Sequence, residues 1–190
     1  LCWSNQSLVE YLINACASFL TEQPHATILS ASQNDNAHFC QSEEEKAINE
    51  AEGSPIGAML RGVNAIAKAL GPRFPQVRFD TLGNYPDTQP IPRITKPEAN
   101  VIIRLCNGGA NGSKAAALTD PINAEFANVV RGWYGLVQAT GASLFIWNYA
   151  VVYITLRPLR IRMHSCACAC AFACGTCMYP FECIHGPTIR

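Results

Sequence analysis

The spacing of apolar residues along the chain predicts three long helices. Apolar side chains recur every three to four residues, the period of one helix face, in segments 6–21, 56–70 and 120–140. Ser4, Ser54 and Asp120 lie where the N-caps of these helices are expected, and Pro55 and Pro121 suit a first helical position. Each segment is followed by glycine or proline, which ends the helical pattern.

A shorter helix is predicted to begin at Ser42, which is followed by three glutamates at positions 43–45. Carboxylates in the first turn interact favourably with the helix dipole. We therefore expect this acidic run to be a solvated helix start rather than a metal site.

Four short runs rich in apolar and β-branched residues predict strands at 27–29, 77–82, 101–106 and 143–149. Helices alternate with these strands, an order typical of parallel strands joined by crossover connections. A proline-rich stretch, 83–99, replaces one crossover helix and is long enough to span that distance. Four such strands are half of a (β/α)₈ barrel, which takes about 250 residues. The pattern therefore predicts an α/β fold, a partial TIM barrel of about four strands.

The alternative is a small open doubly wound sheet, but the glycine fingerprint common in such sheets does not follow the first strand. The glycine-rich segment 107–113 also lacks the spacing of a phosphate-binding loop. We expect residues 1–150 to form the partial barrel and residues 151–190 to form an irregular C-terminal tail.

Composition narrows the classes of partner. The 190 residues are 49% hydrophobic and 15% charged, with a formal net charge of zero, so the chain can build a substantial core. The sequence has no basic patch, which argues against a nucleic-acid partner. It also has no apolar run of the roughly 18–20 residues that span a membrane. The chain begins at Leu1 without an initiator Met, so we expect it to be cut from a longer protein.

Ten cysteines are distributed unevenly. Cys2, Cys16, Cys40 and Cys106 are scattered, which predicts a mostly reduced main body, and the other six lie between positions 166 and 183. The Cys-x-x-Cys at 174–177, with neighbouring cysteines and histidines, offers enough ligands for zinc. Its surroundings alternate Cys with Ala and are low in complexity. We therefore expect disorder or a misjoined reading frame there, and no metal or other cofactor.

A polar run, 32–36, directly follows the first predicted strand. In parallel α/β folds the carboxyl ends of the strands carry the chemistry, which makes Asp35 and its amide neighbours candidate site residues. The alternative is that Asn-Asp-Asn forms a turn and caps the following helix.

Several short motifs follow one another in a fixed order: Ser-Gln-Asn-Asp-Asn at 32–36 and then Cys40, Lys-Ala-Ile at 46–48, Glu-Gly-Ser at 52–54, Val-Asn at 63–64, Asp-Thr-Leu at 80–82, Asn-Val-Ile-Ile-Arg-Leu-Cys at 100–106, and Ile-Trp-Asn-Tyr at 146–149. Together they resemble a large bacterial family, domain of unknown function 4838, over residues 1–149. Its members look like glycoside hydrolases of the α-glucuronidase and hexosaminidase type. The resemblance implies a TIM barrel, an oligosaccharide or polysaccharide substrate, and an extracellular or periplasmic location. It also implies that this chain needs the missing half of the barrel.

The chain departs from the family pattern in several places. The family carries further cysteines where this chain has Ser42 and Glu45, and an aspartate where it has Asn148. Glycines 108, 109 and 112 replace an acidic, histidine-containing loop. The similarity ends after Tyr149, and the last expected strand, with its glutamate, is absent. These departures weaken the case for catalysis by this chain.

In a barrel, side chains at the carboxyl ends of the strands face one mouth. The resemblance and this rule together give Asp35 a catalytic role, as a proton donor or a binder of sugar hydroxyls near the scissile bond. The residues that we expect to bind substrate are Gln33, Asn34, Arg104, Trp147 and Asn148.

Each of these roles has an alternative. Arg104 would bind the carboxylate of an acidic sugar or form a structural ion pair inside the barrel, and Trp147 would stack on a sugar ring or pack in the core. Asp80 would point inward or be a buried structural aspartate. Hydrolysis needs two carboxylates, and only Asp35 is clearly placed at a strand end. The sequence therefore predicts either a fragment of a glycoside hydrolase that acts on polysaccharides or an inactive, carbohydrate-binding barrel remnant.

Overall fold

The computed structural model describes residues 1–33, 38–84, 88–107 and 117–147, together with the backbone of residues 182 and 183. In chain order the elements are α1 (Gln6–Glu22), β1 (Ile28–Ser30), α2 (Glu43–Glu52), α3 (Ile56–Leu70), β2 (Arg78–Gly83), β3 (Val101–Cys106), a 3₁₀ turn (Pro121–Asn123), α4 (Ala124–Thr140), β4 (Ser143–Trp147) and β5 (Glu182–Cys183). The predicted helices and strands are confirmed to within two residues of their predicted ends, except that the helix predicted from position 120 begins as the 3₁₀ turn and α4 itself starts at Ala124. The last two residues of the fourth predicted strand, 148 and 149, lie outside the described part.

The strands form one sheet in the order β1-β2-β3-β4-β5. Strands β1 to β4 are parallel, and each is hydrogen-bonded to the next strand in the sequence. The two residues of β5 pair antiparallel with β4, so this short part of the tail, which was predicted to be irregular, is a strand. The predicted mixed α/β fold with four parallel strands is confirmed.

The helices cover one face of the sheet. Side chains at alternating strand positions lie in one buried cluster with residues of α1, α3 and α4; these strand residues are Leu29, Phe79, Val101, Ile103, Leu105 and Leu144. Ile48 of α2 packs against the same cluster. Burial of this apolar surface is the main favourable term in the stability of the fold. Within the described residues, no helix is both long and apolar enough to cross a bilayer.

The other face of the sheet carries the strand residues that alternate with the core positions. The strand pairing aligns Asp80 with Ile102, and Arg104 with Phe145, on this face. All four residues are buried. Asp80 and Arg104, one acidic and one basic residue, therefore lie buried on the face of the sheet away from the helices.

Glu52, the last residue of α2, holds the proline-rich crossover between β2 and β3. Its carboxylate accepts the main-chain N–H groups of Ile94 at 2.8 Å and Thr95 at 2.9 Å, and also the Thr95 hydroxyl. The Arg61 guanidinium donates to the same carboxylate at 2.8 Å. Burial by itself raises the pKa of Glu52, but the hydrogen bonds from Thr95, Arg61 and Ile94 outweigh it and lower that pKa to about 2.

Asn64 of α3 holds the next part of the crossover. Its side-chain nitrogen donates to the Lys96 carbonyl at 2.8 Å, and its side-chain oxygen accepts the N–H of Glu98 at 3.0 Å. A crossover helix would satisfy such backbone groups internally, whereas this extended connection relies on side chains of the neighbouring helices.

Three local expectations differ from the structure. The residue before the first residue of α3 is Pro55, so Pro55 rather than Ser54 is its N-cap. Asn5, rather than Ser4, caps α1, and its side chain accepts the N–H of Leu8 at 3.2 Å. Glu45 is not solvated: it is 2% exposed and accepts the N–H of Ser4 at 2.9 Å. The reason is that the N-terminal segment lies over the start of α2, a contact between distant residues that no local pattern signals. The predicted start of α2 is confirmed, and Ser42 caps the helix, since its hydroxyl accepts the Glu45 N–H at 3.2 Å.

The prediction of a mostly reduced main body is wrong for one pair of cysteines. Cys2 and Cys40 form a disulfide across a sequence separation of 38 residues, whereas Cys16 and Cys106 remain thiols. The spacing of these cysteines does not reveal the pairing, because only the fold brings the N-terminus against the segment before α2. The bond ties the first residues of the chain to the start of that helix.

Candidate functional site

Arg104 lies near the carboxyl end of β3, on the face opposite the helices. Its guanidinium pairs with the carboxylate of Asp80 on β2, and the two residues are 3% and 0% exposed. Its Cζ also lies 5.8 Å from the ring centroid of Trp147, the last residue of β4, which is within cation–π range. The structure thus brings Arg104 and Trp147, two predicted substrate-binding residues, together. Arg104 also forms the structural ion pair that the sequence offered as the alternative to sugar binding.

Asp80 has the electrostatics of a candidate acid but not the accessibility. Burial raises the pKa of Asp80 above its usual value, against the charge of Arg104 and hydrogen bonds from Ser30 and Arg104. A raised carboxyl pKa suits a general acid. The side chain is nevertheless fully buried and in contact with a guanidinium, which favours the structural alternative for Asp80.

Gln33 lies three residues past β1 and is held by residues distant in the sequence. Its side-chain oxygen accepts the indole N–H of Trp3 at 3.1 Å, and its main-chain N–H donates to the sulfur of Met59 at 3.3 Å. Its side-chain nitrogen lies 3.5 Å from the carbonyl of His38. The Trp3 ring packs on α3 at Gly62, where a Cβ atom would come within 2.5 Å of the ring. Gln33 is therefore an anchored position rather than a loose loop residue.

The predicted site residues fall into two groups. Asn34, Asp35 and Asn148 lie outside the described residues, as does most of the glycine-rich segment after β3. Arg104 and Trp147 are in contact with each other. Gln33 follows β1, which is three strand spacings from β4, on the order of 14 Å at about 4.8 Å per spacing. The described site residues therefore all lie at the carboxyl end of the parallel sheet, with Arg104 and Trp147 on β3 and β4 and Gln33 after β1.

Sequence reasoning missed two residues that support this edge, Trp3 and Gln89. The Gln89 side chain donates to the carbonyl of Cys106, the last residue of β3. Its own carbonyl accepts the indole N–H of Trp133, on α4, at 2.7 Å. No local signal identifies these residues, because each is separated from its partners by at least 17 positions.

One group of three possible metal ligands lies close together in the described part of the chain. The sulfurs of Cys2 and Cys40 and a carboxylate oxygen of Glu45 lie within 4.8 Å of one another. Cysteine binds metals as the thiolate, and these two sulfurs are joined to each other. In this oxidised form, the cluster fastens the N-terminal segment to α2 rather than offering a metal site.

Comparison with known proteins yields one match. A family model described as "Domain of unknown function (DUF4838)" matches residues 1–159 of the chain. No curated protein and no solved structure matches it.

Proposed function

The chain belongs to the family described as Domain of unknown function (DUF4838), and from this premise we propose that it is part of a glycoside-hydrolase-like barrel that acts on the glycosidic bonds of polysaccharides. The observation that carries the proposal is the topology. Four parallel strands follow one another in sequence order, and the described helices pack through one core on one face. A closed (β/α)₈ barrel has this arrangement, whereas a doubly wound sheet reverses its strand order and carries helices on both faces.

The sheet edge adds a second line of support. Trp147 presents an aromatic ring at the end of β4, and Arg104 lies beside that ring. Gln33, at the end of β1, carries an amide of the kind that hydrogen-bonds sugar hydroxyls. Sugar sites combine flat apolar surface with a few fixed polar groups, and this edge offers both. In a closed barrel, further strands would complete the sheet beside β1.

The second candidate function is carbohydrate binding without hydrolysis. Hydrolysis requires two carboxylates that flank the glycosidic bond. On the face that carries Arg104, the described strands contribute one carboxylate, Asp80, and Arg104 neutralises it. Asn148 stands where the family pattern has an aspartate. These observations favour a binding role for this chain and reserve hydrolysis for family members that carry both carboxylates.

Binding is tested by affinity electrophoresis of the full chain in gels that contain soluble xylan, pectin or a bacterial exopolysaccharide. We expect retardation in at least one gel, and Trp147→Ala should weaken it about fivefold to tenfold because an aromatic face is lost. Trp147→Phe should retain most of the binding, and Tyr134→Ala, at an exposed position on α4, serves as the matched control. Equal mobility of all variants with and without polysaccharide would exclude this edge as a sugar site.

Hydrolysis is tested by the release of reducing sugar from the same polysaccharides. We expect no release by this chain, because the described strands contribute only one carboxylate to the face that carries Arg104. Release at a rate proportional to the protein concentration would contradict the binding-only alternative and would support catalysis by the chain itself.

Asp35 is tested in an active member of the family. The residue that matches Asp35 there should act as the proton donor or bind sugar hydroxyls near the scissile bond. Its replacement by Asn should lower turnover by about 10²–10⁴-fold, the usual contribution of a general acid–base group. An unchanged rate in that variant would remove Asp35 from the mechanism.

A further inference from the structure

We propose that Cys2, Trp3 and Ser4 form an N-terminal clamp that positions Gln33 for sugar binding, and that reduction of the Cys2–Cys40 disulfide by a dithiol releases it. The sugar-binding part rests on the proposed function. The clamp itself rests on the contacts of three consecutive residues with two segments that are distant in the sequence.

The first contact of the clamp is with the end of β1. The indole N–H of Trp3 donates to the side-chain oxygen of Gln33 at 3.1 Å. The indole is 5% exposed and fits against α3 where Gly62 leaves room for it. Because the ring is fixed by packing, it can fix the orientation of the Gln33 amide in turn. Trp3 is thus a positioning residue for Gln33.

The second contact of the clamp is with the start of α2. Cys2 is bonded to Cys40, and the main-chain N–H of Ser4 donates to the buried carboxylate of Glu45 at 2.9 Å. The Ser42 hydroxyl lies 3.3 Å from the Cys40 sulfur and also caps α2. The clamp is therefore anchored at the capped N-terminus of α2.

Together these contacts hold both ends of the segment that follows β1. Its first end is held at Gln33 by Trp3, and its second end is held at Cys40 by Cys2. Segments that follow barrel strands carry binding and catalytic groups and are positioned by the scaffold beneath them. The disulfide thus influences Gln33, the proposed sugar-binding residue, through Trp3, which is next to Cys2 in the sequence.

Reduction releases the clamp by thiol–disulfide exchange. A dithiol such as dithiothreitol attacks one sulfur, the Cys2–Cys40 bond breaks, and the second thiol of the reagent displaces the remaining sulfur. Two electrons and two protons pass to the protein as two thiols, and the reagent becomes a cyclic disulfide. Cys2 is half-buried rather than enclosed, so a small dithiol can reach the bond. Once the bond is broken, the N-terminal segment loses its covalent link to Cys40, which lies just before α2.

The clamp is tested by amide hydrogen exchange of the full chain without ligand. The six cysteines from 166 to 183 are changed to serine, so that Cys2–Cys40 is the bond that dithiothreitol reduces. We expect exchange in peptides covering residues 28–33 to rise about twofold to tenfold on reduction and in the Cys2→Ser/Cys40→Ser variant, the effect of losing a hydrogen bond. Cys16→Ala is the matched control, since burial raises the pKa of that thiol and it forms no disulfide.

Trp3→Phe separates the indole hydrogen bond from the disulfide. It retains the bond and the ring on Gly62 but lacks the N–H group. We expect it to raise exchange at Gln33 while leaving exchange in α3 unchanged. Unchanged exchange after reduction and in Trp3→Phe would overturn the clamp.

A second readout distinguishes the clamp from the proposed function. Affinity electrophoresis in the soluble xylan or pectin gel that retards the protein should show about twofold to tenfold weaker binding after reduction. If exchange rises and binding is unchanged, the positioning of Gln33 for sugar is wrong while the proposed function stands. If exchange rises and no polysaccharide is bound in either state, the proposed function is wrong, and so is the sugar-binding part of this inference.

Discussion

Glu52 is a buried carboxylate whose charge is stabilised by hydrogen bonds to the crossover. Glu52→Gln keeps the size of the side chain but directs an amide NH₂ group towards donors on Thr95, Ile94 and Arg61. The pKa of Glu52 is about 2 in the folded chain and about 4.5 in the unfolded chain. We therefore expect Glu52→Gln to lower the free energy of unfolding by on the order of 3 kcal/mol at pH 7. Urea unfolding at pH 7 measures this, and Glu50→Gln, exposed on the same helix, is the control.

The same carboxylate gives the stability a defined pH dependence. Its folded pKa lies below its unfolded pKa, so its contribution is fully present above about pH 5 and is lost as the pH falls towards 2. We expect the wild-type chain to lose stability over this interval and Glu52→Gln to lose less. Parallel curves for the two proteins would show that Glu52 does not carry this dependence.

Gly62 and Gly135 are both helical glycines, but their surroundings predict opposite effects of substitution by alanine. A Cβ atom at Gly62 would come within 2.5 Å of the Trp3 ring, whereas at Gly135 nothing lies within 4 Å. Gly62→Ala should therefore lower the free energy of unfolding by about 1–3 kcal/mol through overpacking. Gly135→Ala should raise it by about 0.5–1 kcal/mol through helix propensity. Thermal unfolding of both variants tests this, and stabilisation by both would mean that Trp3 does not pack on α3 as described.

At the scale of elements, the crossover between β2 and β3 depends on α3 for its backbone hydrogen bonds. Asn64→Ala removes the partners of the Lys96 carbonyl and the Glu98 N–H. We expect the free energy of unfolding to fall by about 1–2 kcal/mol, because two partly buried backbone groups lose their hydrogen bonds. Asn128→Ala, an exposed position on α4, should change the stability by less than about 0.5 kcal/mol. Urea unfolding of the two variants makes the comparison, and equal midpoints would show that α3 does not hold the crossover.

At the scale of the whole molecule, the disulfide links the N-terminal segment to the segment just before α2, across a sequence separation of 38 residues. Loop-closure entropy for a separation of that size predicts that Cys2→Ser/Cys40→Ser lowers the free energy of unfolding by about 4 kcal/mol. Urea unfolding without reductant, in the background that lacks the tail cysteines, gives the value. Cys16→Ala should have a much smaller effect, and an unchanged midpoint in the double variant would indicate that the disulfide does not form in solution.

The topology also belongs to this scale, and it was accessible from the sequence for a physical reason. Helix and strand periods are local, so the positions of α3, β2 and β3 follow from the spacing of their apolar residues. Alternation of the two element types then restricts the sheet to parallel strands with crossovers. The family membership followed from short motifs, which are local as well.

The sequence by itself determined the elements, their order and the parallel sheet, because these depend on the period of apolar residues and on caps a few positions away. The tertiary structure alone decided the Cys2–Cys40 bond, the burial of Glu45 and the contact of Trp3 with Gln33. It also decided that Arg104 pairs with Asp80 while lying beside Trp147. Each of these contacts joins residues more than 20 positions apart, and it forms only where the fold has packed distant segments together and removed water from between them.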